Sequence, residues 1–196
     1  MYLLTESIIN YGNDQIKKEF LPNLVSGDIV GTLAVTEALH APSASNINVT
    51  YESGRLNGKK IAVPDANVST HALVVAKSTK GISLQIVDLS SNGVLIEHQE
   101  TIDESRGHFS ITFDNVEAEL IGDEVSGWEI YESIINQAAV LFSYEQIGGS
   151  QASLDMAVNY AKERYAFGRP IGSYQAIKHK LADMYIAPVS YTHLRA

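Results

Sequence analysis

The sequence predicts an α+β protein of several domains: a helical N-terminal remnant, an antiparallel β-barrel or sandwich in the middle, and the start of a C-terminal helical bundle. Three observations support this fold class. The apolar residues have a helical period near the start, alternate with a period of two through the middle, and regain a helical period after Gly127. The predicted boundaries are residues 1–30, 31–122 and 123–187 for these three parts, and 188–196 for a separate tail.

Composition narrows the function classes. The 196 residues carry a net charge of −9, and an acidic surface argues against a nucleic-acid partner. The absence of cysteine excludes disulfides, thiolate zinc ligands and cysteine nucleophiles. No apolar run approaches the ~20 residues that span a bilayer. The start MYLLTESIINYG has no signal-peptide pattern, so we expect a cytoplasmic protein.

Two short helices are predicted at the start of the chain. Gly12 is expected to stop the first helix in a left-handed conformation. Asn13 is expected to cap the second, and Pro22 to lie just beyond its end. Such a pair is too small for a domain and indicates the end of a helical region.

Short strands separated by turns are predicted in the middle of the chain. GTLAVTE is typical of a buried strand, and Asn57-Gly58 predicts a two-residue hairpin turn. ALVVA and ISLQIVDL flank the polar turn KSTKG, which indicates a second hairpin. HFSITFDNV alternates, with Phe109, Ile111 and Phe113 on one face. Together these strands predict the small barrel or sandwich.

One long helix is predicted from Gly127 to about Tyr165. Gly148-Gly149 is expected to interrupt it, because a glycine pair in a helix indicates close packing against a neighbour. The predicted apolar side of this helix consists of Ile130, Ile134, Leu141, Leu154, Val158 and Ala161.

A second helix is predicted after a corner at Pro170 and Gly172, with Ser173 as its cap. From Pro188 onward the residues PVSYTHLRA lack the helical period, which indicates a truncated or foreign end. A native loop is the alternative. The residues expected on the inner side of this helix are Ile177, Leu181 and Met184.

The stretch ERYAFGRPIGSYQAIKHKLADM, residues 163–184, brings Arg164, Phe167, Arg169 and Gln175 to one corner. A guanidinium group binds anions, an aromatic ring covers flat surfaces and an amide donates hydrogen bonds. The corner therefore predicts a docking point for a flat, anionic ligand. Taken singly, Arg164 is also explained as a cation at a helix C-terminus, and Phe167 as a plug in the core.

The order of elements and four motifs resemble the acyl-CoA dehydrogenase family. YGNDQIKKEFLPNLVSGD is similar to the segment that leads into the family's middle domain, AVTE to its flavin strand, and LNGKK to its second barrel strand. RYAFGRPIGSYQAIKHKLADM is similar to the family's Arg-x-x-Phe-Gly motif and the helix after it, and this match is the specific one. The likeness runs from about Tyr11 to Ala187.

The resemblance implies an enzyme in which FAD removes two hydrogens across the Cα–Cβ bond of an acyl-CoA thioester. It implies that Val35 and Thr36 contact the flavin ring within their own subunit. Across a dimer interface, Arg164 would pair with the pyrophosphate of the neighbour's FAD, Phe167 would cover part of the dinucleotide, and Gln175 would offer its amide. An electron-transfer flavoprotein is the implied acceptor, and an acyl-CoA oxidase that reacts with oxygen is the alternative.

The chain departs from the family at the flavin strand. Where the family continues with Pro-Gly-Ala-Gly-Ser-Asp, the two glycines align with Leu39 and Ala41 and the serine with Pro42. A shift of one residue would place Ser43 at the serine position instead. Only glycine lets the backbone approach a phosphate without a Cβ clash. Where the family has Trp-Ile-Thr or Trp-Ile-Ser beside the ring, residues 62–64 are Ala-Val-Pro. These differences predict a degraded flavin site in cis beside an intact contribution in trans.

No catalytic base is predicted in this chain. The family's arginine near the thioester aligns with Ala139, and one family position for the catalytic glutamate aligns with Ala138. Glu145 is expected to be a packing or surface residue. Other members carry the base later in the C-terminal domain.

Two interpretations follow. The chain belongs to a homomeric acyl-CoA dehydrogenase with variant flavin contacts, or to a degenerate subunit of a heteromeric one, of which some act on CoA thioesters of steroid side chains. We favour the second, because it explains why one set of contacts decayed while the other survived. A non-catalytic scaffold subunit is the rival from another class. Neither a metal-ligand spacing, a GxSxG elbow nor a phosphate loop occurs in the sequence.

Overall fold

The computed structural model describes residues 2–103 and 105–193. The chain divides into two compact units, Met1–Ala138 and Ala139–Ala196. The helices of the described residues are α1 (Tyr2–Tyr11), α2 (Asp14–Ser26), α3 (Gly127–Glu163) and α4 (Gln175–His193). The strands are β1 (Gly31–Ala34), β2 (Thr50–Glu52), β3 (Arg55–Pro64), β4 (His71–Lys77), β5 (Ile82–Asp88), β6 (Val94–Gln99), β7 (His108–Glu117), β8 (Glu119–Ile121), β9 (Tyr165–Ala166) and β10 (Arg169–Pro170).

Strands β1 to β8 form one sheet in the first unit. Its order is β6, β7, β3, β2, β4, β5, β8, and β1 pairs with β4 beside this path. Most neighbours are antiparallel, whereas β1 and β2 each run parallel to β4. The predicted α+β class with a sheet-based middle domain is confirmed. The parallel pairs were not predicted, because alternation of apolar residues does not reveal strand direction.

Two apolar clusters lie on the two sides of the sheet. Strand β4 shows the division, because Leu73 and Val75 belong to one cluster while Ala72, Val74 and Ala76 belong to the other. The first cluster also contains buried side chains of α1, α2 and the first turns of α3. In the second cluster lie Phe109, Ile111 and Phe113 of β7, as predicted from their alternation.

The predicted hairpin around KSTKG is present between β4 and β5, whereas the turn predicted at Asn57-Gly58 is wrong. The β2–β3 hairpin turns at Ser53-Gly54 instead, where φ is 51° and 80°, as a two-residue turn between twisted strands requires. Gly58 lies inside β3 with φ of 131°, and an added Cβ would lie 2.9 Å from Cγ2 of Val49. The glycine therefore serves a close approach within a bulged strand.

The corner between α1 and α2 confirms one expectation and corrects another. The Ile16 N–H donates to Oδ1 of Asn13 at 2.8 Å, so Asn13 caps α2 as predicted. Gly12 does not have a positive φ, so it is not a left-handed stop. A Cβ on Gly12 would lie 2.6 Å from the carbonyl oxygen of Ile8, which shows that the corner needs glycine for space.

Helix α2 continues through Pro22, which the sequence placed beyond its end. It ends before Gly27, whose φ of 85° is the left-handed conformation typical of a helix C-terminus. The buried side chains Ile16, Phe20 and Leu24 extend across the proline at intervals of four residues. Packing of this apolar stripe therefore outweighs the loss of one helical hydrogen bond.

Helix α3 runs without a break through Gly148-Gly149, so the predicted interruption is wrong. Apart from its chain neighbours and the nearby backbone of the helix itself, no atom of the described residues lies within 4 Å of a Cβ added at either glycine, so close packing there is not found. The predicted apolar side is buried at Ile130, Ile134, Leu154 and Ala161, half-buried at Val158 and exposed at Leu141.

The second unit has an apolar surface on both of its helices. Ile177 and Leu181 are half-buried as predicted for an inner side, but Met184 is 42% exposed. Exposed apolar surface of this extent is typical of a face that packs against another element or subunit. The large exposed side chains are Val140, Leu141, Phe142, Tyr144, Met156, Tyr160, Met184, Tyr185 and Ile186.

Helix α4 continues through Pro188 to His193, so the expectation that the helix is lost from Pro188 onward is wrong for these residues. The proline ring is buried, and this packing opposes the roughly 3 kcal/mol that proline costs inside a helix. Residues 194–196 lie outside the described residues, and a foreign or truncated tail stays a prediction. None of the described helices combines the length and the apolar composition needed to cross a membrane.

Candidate functional site

Val35 and Thr36 directly follow β1 in the first unit, and both are half-buried. The carbonyl oxygen of Val35 accepts a hydrogen bond from Nζ of Lys60 at 3.1 Å. The carbonyl oxygen of Thr36 accepts one from the Ile61 N–H at 2.8 Å. The segment predicted to face the flavin ring is therefore fixed to β3 through its backbone.

An ion pair between Lys60 and Glu37 lies beneath this segment. The Lys60 side chain is fully buried, and its Nζ lies 2.6 Å from Oε1 of Glu37, which is 10% exposed. The Glu37 carboxylate also accepts hydrogen bonds from the N–H groups of Asn48, at 2.7 Å, and Val49, at 3.1 Å. One carboxylate thus joins the beginning and the end of the loop between β1 and β2.

Burial has the largest single effect on the pKa of each residue of this pair. It lowers the pKa of Lys60 to about 8, against the hydrogen bond and the charge of Glu37, which raise it. Burial would also raise the pKa of Glu37, but Lys60 and the two backbone amides outweigh it and hold that pKa below its usual value. A buried ion pair of this kind fixes geometry and adds little net stability.

The loop between β1 and β2 has its own internal support where the family's glycine run would lie. The side chain of Asn46 accepts from the Ser43 N–H at 2.8 Å and donates to the Ala41 carbonyl at 3.0 Å. Leu39 and Ala41 are exposed, and neither has a positive φ. Their backbone adopts an ordinary conformation, so the difference from glycine lies in the space that their side chains occupy.

Ala62, at the position of the family's tryptophan, lies on an irregular part of β3. It is exposed, and its φ of 52° is rare for a residue with a Cβ. Its N–H donates to Oε1 of Gln99 at 2.7 Å. The backbone here is held by a side chain of β6, which lies two strands away in the sheet, and residue 62 has no aromatic ring.

In the second unit, Arg164 directly follows the end of α3. Its N–H donates to the Tyr160 carbonyl at 2.8 Å, and its own carbonyl accepts from the Ile171 N–H at 2.8 Å. The guanidinium group is exposed, and no described residue forms an ion pair or a hydrogen bond with it. Arg164 therefore has a fixed backbone and a free cationic side chain.

Phe167 lies at the tip of a tight hairpin between β9 and β10. Phe167 and Gly168 form its two-residue turn, with φ of 52° and 78°. The left-handed conformation costs a residue with a Cβ roughly 1–2 kcal/mol. The phenylalanine ring is 97% exposed, so the alternative explanation of Phe167 as a core plug is wrong within this chain.

The hairpin is tied to the start of α4 by Tyr174. Its hydroxyl donates to the Ala166 carbonyl at 2.9 Å, and the guanidinium carbon of Arg169 lies 4.0 Å above its ring centre. Arg169, which the sequence groups with the ligand-facing residues, therefore has a partner inside the corner. Arg164, Phe167 and Gln175 lie before, at the tip of, and after this hairpin.

Gln175 is the first residue of α4 and is exposed, as predicted. The expectation that Ser173 caps this helix is wrong, because its Oγ donates to the Pro170 carbonyl at 2.7 Å. Tyr174 takes the capping place, since its carbonyl accepts the Lys178 N–H at 3.1 Å. The Ile177 N–H of the first helical turn also donates to the Tyr174 carbonyl, at 3.1 Å.

Gly172 supports the corner through close packing, which makes it a test of the geometry. A Cβ there would lie 2.8 Å from the carbonyl oxygen of Ala161 on α3. We expect Gly172→Ala to lower the free energy of unfolding by about 1–3 kcal/mol, because α3 and the corner must separate. The matched control is Gly148→Ala, which meets open space and should raise stability by up to about 1 kcal/mol. Thermal denaturation measures both, and equal effects would contradict the packing.

The ion pair between Glu37 and Lys60 was not predicted, although the two residues lie in the motifs AVTE and LNGKK. Glu37 ends AVTE and Lys60 ends LNGKK, and a charged residue directly beside a buried strand is the available signal.

On α3, Ala138 is buried and Ala139 exposed, and Glu145 lies on the surface as expected. In the part of the chain that the structure describes, no group of three His, Asp or Glu residues could hold a metal ion.

The chain is similar to several known proteins in sequence and in fold. Residues 125–192 match the family described as acyl-CoA dehydrogenase, C-terminal domain. An acyl-CoA dehydrogenase of Bacillus subtilis (strain 168) is 33% identical over 204 residues, covering 97% of this chain and 54% of that protein. Butyryl-CoA dehydrogenase from Megasphaera elsdenii has a TM-score of 0.88 at 25% identity, covering 96% of this chain and 53% of that one.

A third comparison is with a structure that holds the reduced cofactor. Glutaryl-CoA dehydrogenase from Mycobacterium smegmatis, solved in complex with FADH2, has a TM-score of 0.84 at 24% identity, covering 95% of this chain and 50% of that one. The chain spans about half the length of the curated relatives it matches.

Proposed function

The chain belongs to the acyl-CoA dehydrogenase family, and we propose on that premise that it is part of an FAD-dependent enzyme that desaturates acyl-CoA thioesters between Cα and Cβ. Bound FAD would supply the hydride acceptor. This chain's role is to contribute Arg164, Phe167 and Gln175 to the FAD of a neighbouring subunit. We assign the base that removes the α-proton to none of the residues of this chain.

The observation that carries the proposal is the exposed, strained phenylalanine at the hairpin tip. Asn-Gly is the preferred pair in a two-residue turn of this kind, because asparagine tolerates positive φ. Phe167 gains no burial in exchange for its φ of 52°, since its ring is 97% exposed. Strain held at an exposed site indicates a functional contact, and a flat ring suits the face of a dinucleotide.

The charges around Phe167 fit an anionic ligand. Between Arg164 and Ala182 the chain has no acidic residue, although its net charge is −9. Arg164 has no partner among the described side chains, and a guanidinium fork matches pyrophosphate oxygens. The start of α4, with Gln175 in its first turn, adds a weak positive end.

Replacing Phe167 with asparagine tests the proposal directly. We expect Phe167→Asn to leave the fold unchanged or more stable by about 1 kcal/mol, because asparagine accepts the left-handed conformation. Flavin affinity of the assembled enzyme is expected to fall, since the ring contact is lost. Thermal denaturation measures the first effect and flavin retained on dilution measures the second. The matched control is Tyr165→Asn, an exposed aromatic residue of β9 two residues earlier, which should leave flavin retention unchanged.

Flavin content per chain decides between the homomeric and heteromeric forms of the enzyme. The full-length protein is purified alone and co-expressed with its homologous subunit, and flavin absorbance is compared with protein concentration. Full flavin in the lone protein supports a homomeric enzyme. Flavin only in the mixed complex, at half occupancy, supports a degenerate subunit of a heteromeric enzyme. Absence of flavin under every condition contradicts the proposed function.

The residues at the family's flavin contacts and the exposed apolar helix faces support the heteromeric form of the enzyme. Leu39, Ala41 and Ala62 stand where the family has two glycines and the tryptophan. The apolar faces of α3 and α4 would be covered by further bundle helices or by a partner subunit. Substrates of such an enzyme include CoA thioesters of fatty acids or of steroid side chains. A non-catalytic scaffold predicts that no subunit pairing bleaches the flavin absorbance when acyl-CoA is added.

The electron acceptor and the location complete the proposal. An electron-transfer flavoprotein would reoxidise the cofactor, and an acyl-CoA oxidase would use oxygen instead. Oxygen consumption during acyl-CoA turnover distinguishes the two. The acidic, cysteine-free composition supports a cytoplasmic location.

A further inference from the structure

The end of β1 is held by a small network of four hydrogen bonds around one ion pair. Lys60 Nζ donates to the Val35 carbonyl at 3.1 Å and to Glu37 Oε1 at 2.6 Å. Glu37 in turn accepts from the N–H groups of Asn48 and Val49. These hydrogen bonds hold the Val35 carbonyl before the loop between β1 and β2, and the N–H groups of Asn48 and Val49 at its end.

We infer that Glu37 and Lys60 are a positioning pair for the flavin: they fix the shape of the chain at Val35 and Thr36, and thereby set the affinity of this subunit for its own cofactor without touching it. The inference rests on the homomeric form of the proposed function, in which this chain binds its own FAD. It concerns the cofactor held by this chain, whereas Arg164, Phe167 and Gln175 concern the cofactor of a neighbour.

A purely structural explanation accounts poorly for an ion pair at this place. Desolvation is the largest influence on both partners, and it opposes their charged forms. Apolar residues of similar size would stabilise the same strands at least as well. The pair adds a fixed orientation of the backbone, because its hydrogen bonds hold the Val35 carbonyl and two amides in one arrangement.

The pair also compensates for the lost glycines. A loop with Leu39 and Ala41 in place of glycine has more bulk beside its backbone, so its path decides whether a ligand fits. The Glu37 carboxylate fixes that path by bonding the loop's last residues at 2.7 and 3.1 Å. The carboxylate therefore ties the end of the loop back to the segment that follows β1.

The first test compares two double variants of the full-length protein. Glu37→Gln with Lys60→Met removes the buried pair while keeping side-chain volume and leaving no lone charge. Lys59→Met with Glu97→Gln removes the neighbouring exposed pair of β3 and β6, whose Nζ–Oε2 distance is 3.1 Å. The readouts are the flavin dissociation constant of the reconstituted apoprotein, its flavin absorption spectrum, and the melting temperature without flavin.

Loss of the buried pair is expected to weaken flavin binding by about tenfold to a hundredfold and to shift the flavin spectrum. Loss of the exposed pair is expected to change neither. The inference is overturned if the buried-pair variant binds flavin with wild-type affinity, or if its affinity falls only in proportion to its apoprotein stability.

The second test uses the wild-type protein and varies pH. As pH rises through about 8, Lys60 loses its proton and flavin affinity should fall. The lowered pKa of Lys60 means that the unfolded state binds more protons between about 8 and 10.5, so its contribution to apoprotein stability rises over the same window. Affinity and this stability contribution therefore move in opposite directions.

Few other charges bear on this titration. Among the described residues, Glu37 is the titratable group whose charge acts on Lys60, and the exposed Lys59–Glu97 pair lies on the opposite face of β3. In the buried-pair variant the pH dependence of flavin affinity should disappear. A pH dependence that survives in that variant counts against the inference.

The outcomes also separate this inference from the proposed function. Wild-type protein that carries flavin only in a mixed complex at half occupancy overturns the inference and leaves the contribution of Arg164, Phe167 and Gln175 standing. Wild-type protein without flavin in any pairing overturns the proposed function itself.

Discussion

Replacing Lys60 alone with methionine is expected to lower the free energy of unfolding by about 3–5 kcal/mol at neutral pH. The substitution leaves the Glu37 carboxylate 90% buried with two amide donors and no cation. A buried charge without its partner is far more costly than the absence of both charges. Urea denaturation of the two proteins, compared at pH 7, measures the difference.

The pH dependence of that deficit gives a second check. The lowered pKa of Glu37 means that its contribution to wild-type stability is present above the ordinary value of 4.5 and is lost as pH falls through the folded-state pKa. Without Lys60 the pKa of Glu37 rises, and protonation relieves the buried charge. The deficit should therefore narrow in acid. A variant that loses less than about 1 kcal/mol, or whose deficit ignores pH, would show that water reaches the carboxylate.

Replacing Arg164 with alanine is expected to weaken FAD binding in the assembled enzyme by about tenfold to a hundredfold. This range corresponds to the roughly 1.5–3 kcal/mol of a hydrogen bond to a charged group. The fold should be unaffected within about 0.5 kcal/mol, because no described side chain pairs with the guanidinium group. Flavin retained by the purified complex measures the first effect, and its melting temperature without flavin the second.

Arg164→Lys is the matched control for this substitution. Lysine keeps the positive charge but loses the planar fork, so its flavin affinity should lie between those of arginine and alanine. If Arg164→Ala retains flavin as the wild type does, the guanidinium group contacts no pyrophosphate. Equal losses for lysine and alanine would indicate that the fork, and not the charge, provides the contact.

Local signals in the sequence were sufficient where one interaction decides the structure. The Asn13 side chain bonds the third helical N–H whatever surrounds it, so the cap was predictable. The alternation in β7 was predictable because one face of that strand is buried. The corner at residues 163–184 stays a predicted site, and the exposed groups that suggested it lie close together in the chain.

Other features depend on tertiary contacts that no local pattern contains. Gly58 is needed for its approach to Val49, and a dipeptide signal for a turn cannot distinguish that from a hairpin. Helices α2 and α4 continue through Pro22 and Pro188 because their surroundings offset a lost hydrogen bond. The burial of Lys60 was hidden, because the next residue, Lys59, belongs to the same LNGKK motif and is exposed.

The two adjacent lysines of β3 also allow local opening of this strand to be measured within the protein. Lys59 is half-exposed and reacts with an acylating reagent at once, whereas the fully buried amine of Lys60 reacts only in molecules whose β3 has come away from the sheet. In those molecules its pKa returns to the ordinary lysine value, so it then reacts as an exposed lysine does. The ratio of their labelling rates, measured by mass spectrometry, is then the fraction of time for which this strand is open.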